Sequence, residues 1–252
     1  MPTPLFYLLS AIVVFFFSGL MAMAGLGAAF LFVPFFYYLG VPLAEATPTA
    51  LLLNVVSLAF AAITYVRARL VNWPVGIPIL ITAVLLAPLG ARWTARVDQQ
   101  VLLGMFAAFL IFAGAMMLFY KSKPRSQPLS RTVETVAGAG VGSAAGFLGG
   151  LLGVGGGNFI VPVLNWMGLD AKVASATTAV VVVFASLSGF LGHATMGGLD
   201  PAFVIVMAVA AAAGSIIGSR LMTTRLSSTQ LKRIIGVLLL LIAAKMIFDL
   251  FK

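Results

Sequence analysis

Apolar residues run along this chain in blocks close to the length that crosses a bilayer as a helix, and polar residues only punctuate them. Leu5 to Ala24 is the first such block and predicts a helix. A Gly25-Leu26-Gly27 break follows, then a short apolar segment from Ala28 to Leu39. Thr47-Pro48 predicts the start of a third helix reaching Val66, since threonine suits an N-cap and proline the first helical turn. Further helices are predicted over Trp73–Ala95 and Gln100–Tyr120. Lys121 to Arg131 is the one clearly hydrophilic stretch and reads as an exposed linker. Beyond it the plan recurs: a helix over Thr132–Leu152, a break at Gly153–Gly157, a short segment over Asn158–Met167, then helices over Ala171–Leu191, Pro201–Leu221 and Thr229–Phe251. The first block lacks a basic leader and has many successors like it, so it is expected to be a membrane helix and not a cleaved signal.

The two halves, 1–120 and 132–252, align without a gap at an offset of 128. Gly25 matches Gly153, Gly27 matches Gly155, Val33-Pro34 matches Val161-Pro162, Gly40 matches Gly168, and Gly90 and Arg92 match Gly218 and Arg220. Thr49 matches Thr177. Such internal repeats are a signature of membrane carriers. Each half carries five apolar elements, so the repeats are inverted if every element crosses and parallel if the short one is re-entrant. Cytoplasmic loops concentrate lysine and arginine. With the linker in the cytoplasm, the inverted arrangement places Arg67, Arg69, Lys121, Lys123, Arg125, Arg131, Lys172, Arg220, Arg225, Lys232 and Arg233 inside and Arg92, Arg96 and Lys252 outside, eleven against three. The parallel arrangement divides them seven and seven. The expectation is an all-α integral membrane protein of two inverted five-element repeats, each with one half-helix after a glycine-rich break.

Composition agrees and narrows the function. Hydrophobic residues make up 62% and charged residues 8%, against roughly 25% charged in soluble domains. The net charge of +9 is scattered among loops, so positive-inside bias accounts for it and no nucleic-acid surface is implied. Cysteine is absent, and one histidine and six acidic residues leave little for a metal site or a carboxylate pair. No enzyme, metal or cofactor is therefore expected. Gly153 to Asn158 also fails the nucleotide-loop spacing.

The breaks carry the candidate chemistry. A helix that starts inside the membrane leaves up to four N–H groups unpaired, and its N-terminus carries a positive partial charge suited to an anion. The expected donors are the amides around Gly25, Gly27, Ala28 and Ala29 in one repeat and Gly155, Gly156, Gly157 and Asn158 in the other, with the Asn158 side chain added. Thr49, Asn54, Thr177 and Thr178 are further polar groups in otherwise apolar helices. The competing reading is that the glycines only permit close helix packing, and Gly138, Gly142 and Gly146, spaced by four, fit it well. Arg92 and Arg220 stand at equivalent helix ends, where they attract or gate an anion or simply snorkel. Lys245 within the last helix and His193, the sole histidine, are the remaining charge candidates. Glu45 and Asp170 read as caps or turn residues, and Phe15–Phe17 and Phe35–Tyr38 as lipid-facing or interfacial aromatics.

The GVGGG of Gly153 to Gly157, followed by Val161-Pro162 and by Ala174-Ser-Ala-Thr-Thr-Ala179, resembles the TauE/SafE sulfite exporter family. The first copy is similar but weaker: GLGAA at Gly25 to Ala29, Val33-Pro34, and Ala46-Thr-Pro-Thr-Ala50. Ala28 and Ala29 stand where Gly156 and Gly157 stand in the second copy, which sets the two halves apart. The resemblance implies a secondary transporter that exports sulfite, sulfoacetate or other organosulfonates from a bacterial or archaeal cell, through the inner membrane. A channel, a carrier for another small anion and a non-transporting scaffold remain the alternatives. The implied partners are the small anion and the lipid bilayer. Chain size is compatible with a homodimer, and no interface motif specifies one.

Overall fold

Each apolar block forms a helix, and the glycine breaks separate a long helix from a short one in both halves. The computed structural model describes residues 4–41, 43–93, 99–119, 131–192 and 201–250. Its helices are α1 (Pro4–Ala24), α2 (Ala29–Tyr38), α3 (Leu43–Arg67), α4 (Trp73–Trp93), α5 (Gln99–Phe119), α6 (Arg131–Leu152), α7 (Gly157–Trp166), α8 (Ala171–Gly192), α9 (Pro201–Thr224) and α10 (Ser228–Leu250). Residues 120–130 of the linker region, Arg96, His193 and Lys252 lie outside the described residues. Six of the described helices, α1, α3, α4, α6, α8 and α9, are long and apolar enough to cross a membrane.

Three expectations need correction. The third helix starts at Leu43, one turn before Thr47-Pro48, so Pro48 sits inside it. The hydrogen bond that proline cannot make would fall on the carbonyl of residue 44, still in the first turn, where the loss is least disruptive. Glu45 then occupies the first turn, where a carboxylate suits the helix dipole. The second short helix begins at Gly157, not Asn158. Phe36 is fully buried and not lipid-facing.

The breaks are helix stops of one design. Gly25 (φ 69°) and Gly153 (φ 67°) adopt the left-handed conformation that ends a helix. The Leu26 N–H bonds back to the Met21 carbonyl at 3.2 Å, and its repeat mate, the Val154 N–H, bonds back to the Gly149 carbonyl at 2.9 Å. The short helix then folds back. Phe6 of α1 and Phe36 of α2 both lie on Phe203, with ring centroids 5.9 and 6.0 Å away. The start of α1 and the end of α2 are thus on one side of the molecule.

Small residues draw the long helices together. Gly138, Gly142, Gly146 and Gly150 of α6 meet Val75 to Pro78, Ile79, Ala83 and Ala87 of α4 in turn, so the two helices run parallel. A Cβ at Gly142, Gly146 or Gly150 would overlap the α4 backbone. The other half repeats the contact. Gly90 sits on the Phe147 carbonyl, and Gly218 sits on the Gly19 carbonyl, each residue shifted by the repeat offset. By contrast α3 and α8, which are repeat mates, run antiparallel: Leu51 faces Gly189, and Asn54 bonds to Ser186. Mates α5 and α10 are also antiparallel, with Gly114 beside Leu240 and Gly236 beside Leu118. These registers gather Arg67, Arg69, Lys172, Arg220, Arg225, Lys232 and Arg233 at one end of the bundle, and leave Arg92 at the other.

Candidate functional site

Both breaks are buried between α3 and α8, and they meet. Gly157 lies so close to the Leu26 carbonyl that a Cβ would overlap it. Gly25 lies on the Ser175 backbone of α8, and Gly153 on the Thr47 side chain of α3, which is the same contact exchanged between the halves. Gly27 lies against Asn54, and Gly155 against Ser186, Asn54 and Val182. Val182 is the repeat mate of Asn54, so one hinge faces a carboxamide where the other faces an isopropyl group.

Hydrogen bonding follows that substitution. The Ala28 N–H donates to Asn54 Oδ1 at 2.8 Å, and Asn54 Nδ2 donates to Ser186 Oγ at 2.9 Å. This caps α2 from outside its own sequence neighbourhood. Gly156 is the mate of Ala28 and caps α7 in the left-handed conformation, φ 78°, with no side-chain hydrogen bond. The N–H groups of Gly156, Gly157 and Asn158 have no partner among the described residues, and the next bond is from the Phe159 N–H to the Gly156 carbonyl at 3.1 Å. The amides of Ala29 and Phe30 in α2 are equally unpaired. What distinguishes α7 is the additional Gly156 amide and the Asn158 side chain. Asn158 is fully buried, and neither its Oδ1 nor its Nδ2 has a partner. Leaving a buried polar group unpaired costs about 1–3 kcal/mol, so a carboxamide kept there without a bond requires an explanation outside the resting fold.

Other predicted residues divide clearly. The Thr178 hydroxyl is buried and unpartnered. The Thr49 hydroxyl bonds to the Glu45 carbonyl of its own helix at 2.8 Å. Thr177 accepts the Asn72 N–H at 2.9 Å and so secures the entry to α4. Arg92, Arg220 and Lys245 are exposed, whereas the hinges are buried. Asp170 does act as a cap, accepting the Lys172 N–H at 2.9 Å, and it also accepts the Ser228 hydroxyl at 2.8 Å. Residues missed by sequence reasoning are Ser186, which shares Asn54, and Ser175, a buried and unpartnered hydroxyl beside Gly25. The repeat alignment held a signal for both, since Asn54 pairs with Val182, and Ser175, Val182 and Ser186 share one face of α8.

Electrostatically the interior is built of dipoles. Every buried polar side chain described is Ser, Thr or Asn apart from Tyr65, whose hydroxyl donates to the Ala22 carbonyl at 2.5 Å. Among the described residues no cluster of His, Asp or Glu could hold a metal ion.

Comparison with known proteins gives one family. The model described as "Sulfite exporter TauE/SafE" matches residues 10–246. "Probable membrane transporter protein YunE" of Bacillus subtilis is 22% identical over 90% of this chain and 92% of its own length. "Probable membrane transporter protein y4hK" of Sinorhizobium fredii is 29% identical over 80% of this chain and 82% of its own. "Probable membrane transporter protein MJ0441" of Methanocaldococcus jannaschii is 26% identical over 73% of this chain and 71% of its own. No solved structure matches.

Proposed function

The chain belongs to the Sulfite exporter TauE/SafE family of multi-pass membrane transporters, and on that premise we propose that it is a secondary carrier exporting small sulfur oxyanions, sulfite or an organosulfonate, bound where α7 begins. The observation that carries this is the buried, unpartnered Asn158 beside three unpaired amides at a helix N-terminus. Sulfonate and sulfite present several oxygens on one sulfur, which suits convergent N–H donors. The helix dipole adds roughly half a positive charge at that point.

The repeats are inverted in this reading, with the linker and the arginine-rich end cytoplasmic. The antiparallel run of α3 beside α8 supports it. In this reading the hairpin of α1 and α2 returns the chain to the side it entered, so a short helix that does not cross no longer implies parallel repeats: neither member of the hairpin crosses, and three crossings per half keep the count odd. At ten residues, α2 and α7 reach about 15 Å each, half of a roughly 30 Å hydrocarbon core. Helix ends near the midplane are where carriers of inverted-repeat design hold their substrates. The buried hinges correspond to an occluded state, and alternating access moves one repeat's hairpin against the other's α3 or α8 partner.

Counterflow in proteoliposomes tests it. Labelled methanesulfonate is expected to accumulate against unlabelled methanesulfonate inside, and the Asn158→Ala variant to lose that flux. Because Asn158 makes no bond within the fold, the variant should keep its thermal stability within about 1 kcal/mol. Loss of stability together with flux would assign Asn158 to the fold, and undiminished flux in a well-folded variant would remove it from the site.

A further inference from the structure

The hinge site is polar, yet among the described residues no carboxylate, lysine, arginine or histidine is buried beside it, and this constrains the charge of what it accepts. Resting on the reading that a sulfur oxyanion binds at the start of α7, we infer that the site takes anions bearing one negative charge and rejects dianions, which removes sulfoacetate, with its second charge on the carboxylate, from the candidate substrates. Asn158, Asn54 and Ser186 are neutral, and so are the amides of Gly156 and Gly157. Asn54 gives one Nδ2 hydrogen to Ser186 and keeps the other uncommitted. The buried hydroxyls of Thr178 and Ser175 are neutral as well. The described cations, Arg92 and Arg220 included, stand at the two ends of the bundle, outside this interior.

A monoanion transferred here exchanges its hydration for several N–H and O–H donors and the fractional positive charge of one helix end. A second charge would lose its hydration and meet no countercharge. The penalty for one uncompensated buried charge cuts affinity by about a hundredfold or more. The selection is therefore by charge and not by size, since sulfate and methanesulfonate are of similar size. It also means that no buried carboxylate, lysine or histidine described here titrates during transport. Any pH dependence should come from the anion.

Sulfite is the informative probe, because it passes from hydrogensulfite to the dianion near neutral pH with almost no change in shape. The purified full chain in proteoliposomes is assayed with methanesulfonate, sulfite and sulfate on both sides of neutrality, with flux into protein-free liposomes subtracted. Methanesulfonate flux is expected to be flat. Sulfite flux per total sulfite should fall as the pH rises, approaching about tenfold per pH unit above the transition as hydrogensulfite is depleted. Sulfate should be carried at least about a hundredfold more slowly than methanesulfonate. Sulfate flux equal to methanesulfonate flux, or sulfite flux that holds or rises through the transition, would overturn the inference while leaving the carrier in place. If none of the three anions moves, the sulfur-anion reading itself fails and the inference falls with it.

Discussion

Replacing Val182 by asparagine should copy into the second hinge the cap that Asn54 provides in the first. Val182 is fully buried and lies against Gly155 as Asn54 lies against Gly27. The new carboxamide would thus stand near the unpaired Gly156 N–H, as Asn54 Oδ1 stands 2.8 Å from the Ala28 nitrogen. Two effects on stability oppose each other. An isopropyl group leaves the core, and a buried N–H worth about 1–3 kcal/mol gains its acceptor. The net change should stay within about 1 kcal/mol, or roughly 2–4 °C in Tm for a chain of this size. Anion binding has no such offset. A hydrogen bond from an amide to a charged acceptor contributes about 1.5–3 kcal/mol, so competition for the Gly156 N–H should weaken methanesulfonate binding about tenfold to a hundredfold. Val182→Ala is the control: it removes the methyl groups without supplying an acceptor, so it should lower Tm and keep the affinity. Calorimetric titration and thermal shift on the three proteins give both quantities. Equal affinities for the alanine and asparagine variants, with both folded, would refute the idea that Gly156 donates to the anion.

Two further substitutions probe the frame around the site. Gly40 and Gly155 share the left-handed conformation, φ 87° and 74°, but Gly40 has open space where a Cβ would go and a Cβ on Gly155 would stand 2.5 Å from Ser186 Oγ; Gly40→Ala should cost only the conformational term of about 1–2 kcal/mol and keep transport, whereas Gly155→Ala should lose flux as well, read by thermal shift and counterflow. Tyr65→Phe removes a bond to the Ala22 carbonyl, but that carbonyl also accepts the Gly25 N–H at 2.9 Å and is not orphaned, so the loss measured by thermal unfolding should sit at the low end of the usual 0.5–1.5 kcal/mol.

Much of the fold was legible because membrane helices must satisfy their backbones internally and so announce themselves as apolar runs. The two breaks were legible for the converse reason: contiguous glycine in such a run must be paired by something other than its own helix. The start of α3 was misread because Thr47-Pro48 matches a local cap, while the helix begins one turn earlier at Leu43, with Ala46 already fully buried. Phe36 was misread because an aromatic pair in an apolar segment looks the same facing lipid or Phe203. The donors at the site were read as two sets, set apart by Ala28 and Ala29 standing for Gly156 and Gly157 and by the Asn158 side chain, but not by what caps them. Their inequality lies in Asn54 and Val182, which are close to the hinges in space and remote from them in sequence, so only the repeat offset connects them.

That inequality has a physical use. Two half-helices whose N-termini meet in a low-dielectric interior bring two positive partial charges together, about half an elementary charge each. Identical open ends would repel when empty and would offer a single small anion two competing positions. Capping Ala28 with Asn54 Oδ1 screens one end and leaves the other, where Asn158 is unpartnered, open for the proposed ligand. Asn54 also reaches Ser186 across the repeat interface at 2.9 Å. In the proposed carrier, a hinge that moves to release the anion must strain or break this bond. Duplication supplies two matching hinges, and what sets them apart is an acceptor placed on α3 and withheld from α8, together with the Asn158 carboxamide where the first repeat has Phe30.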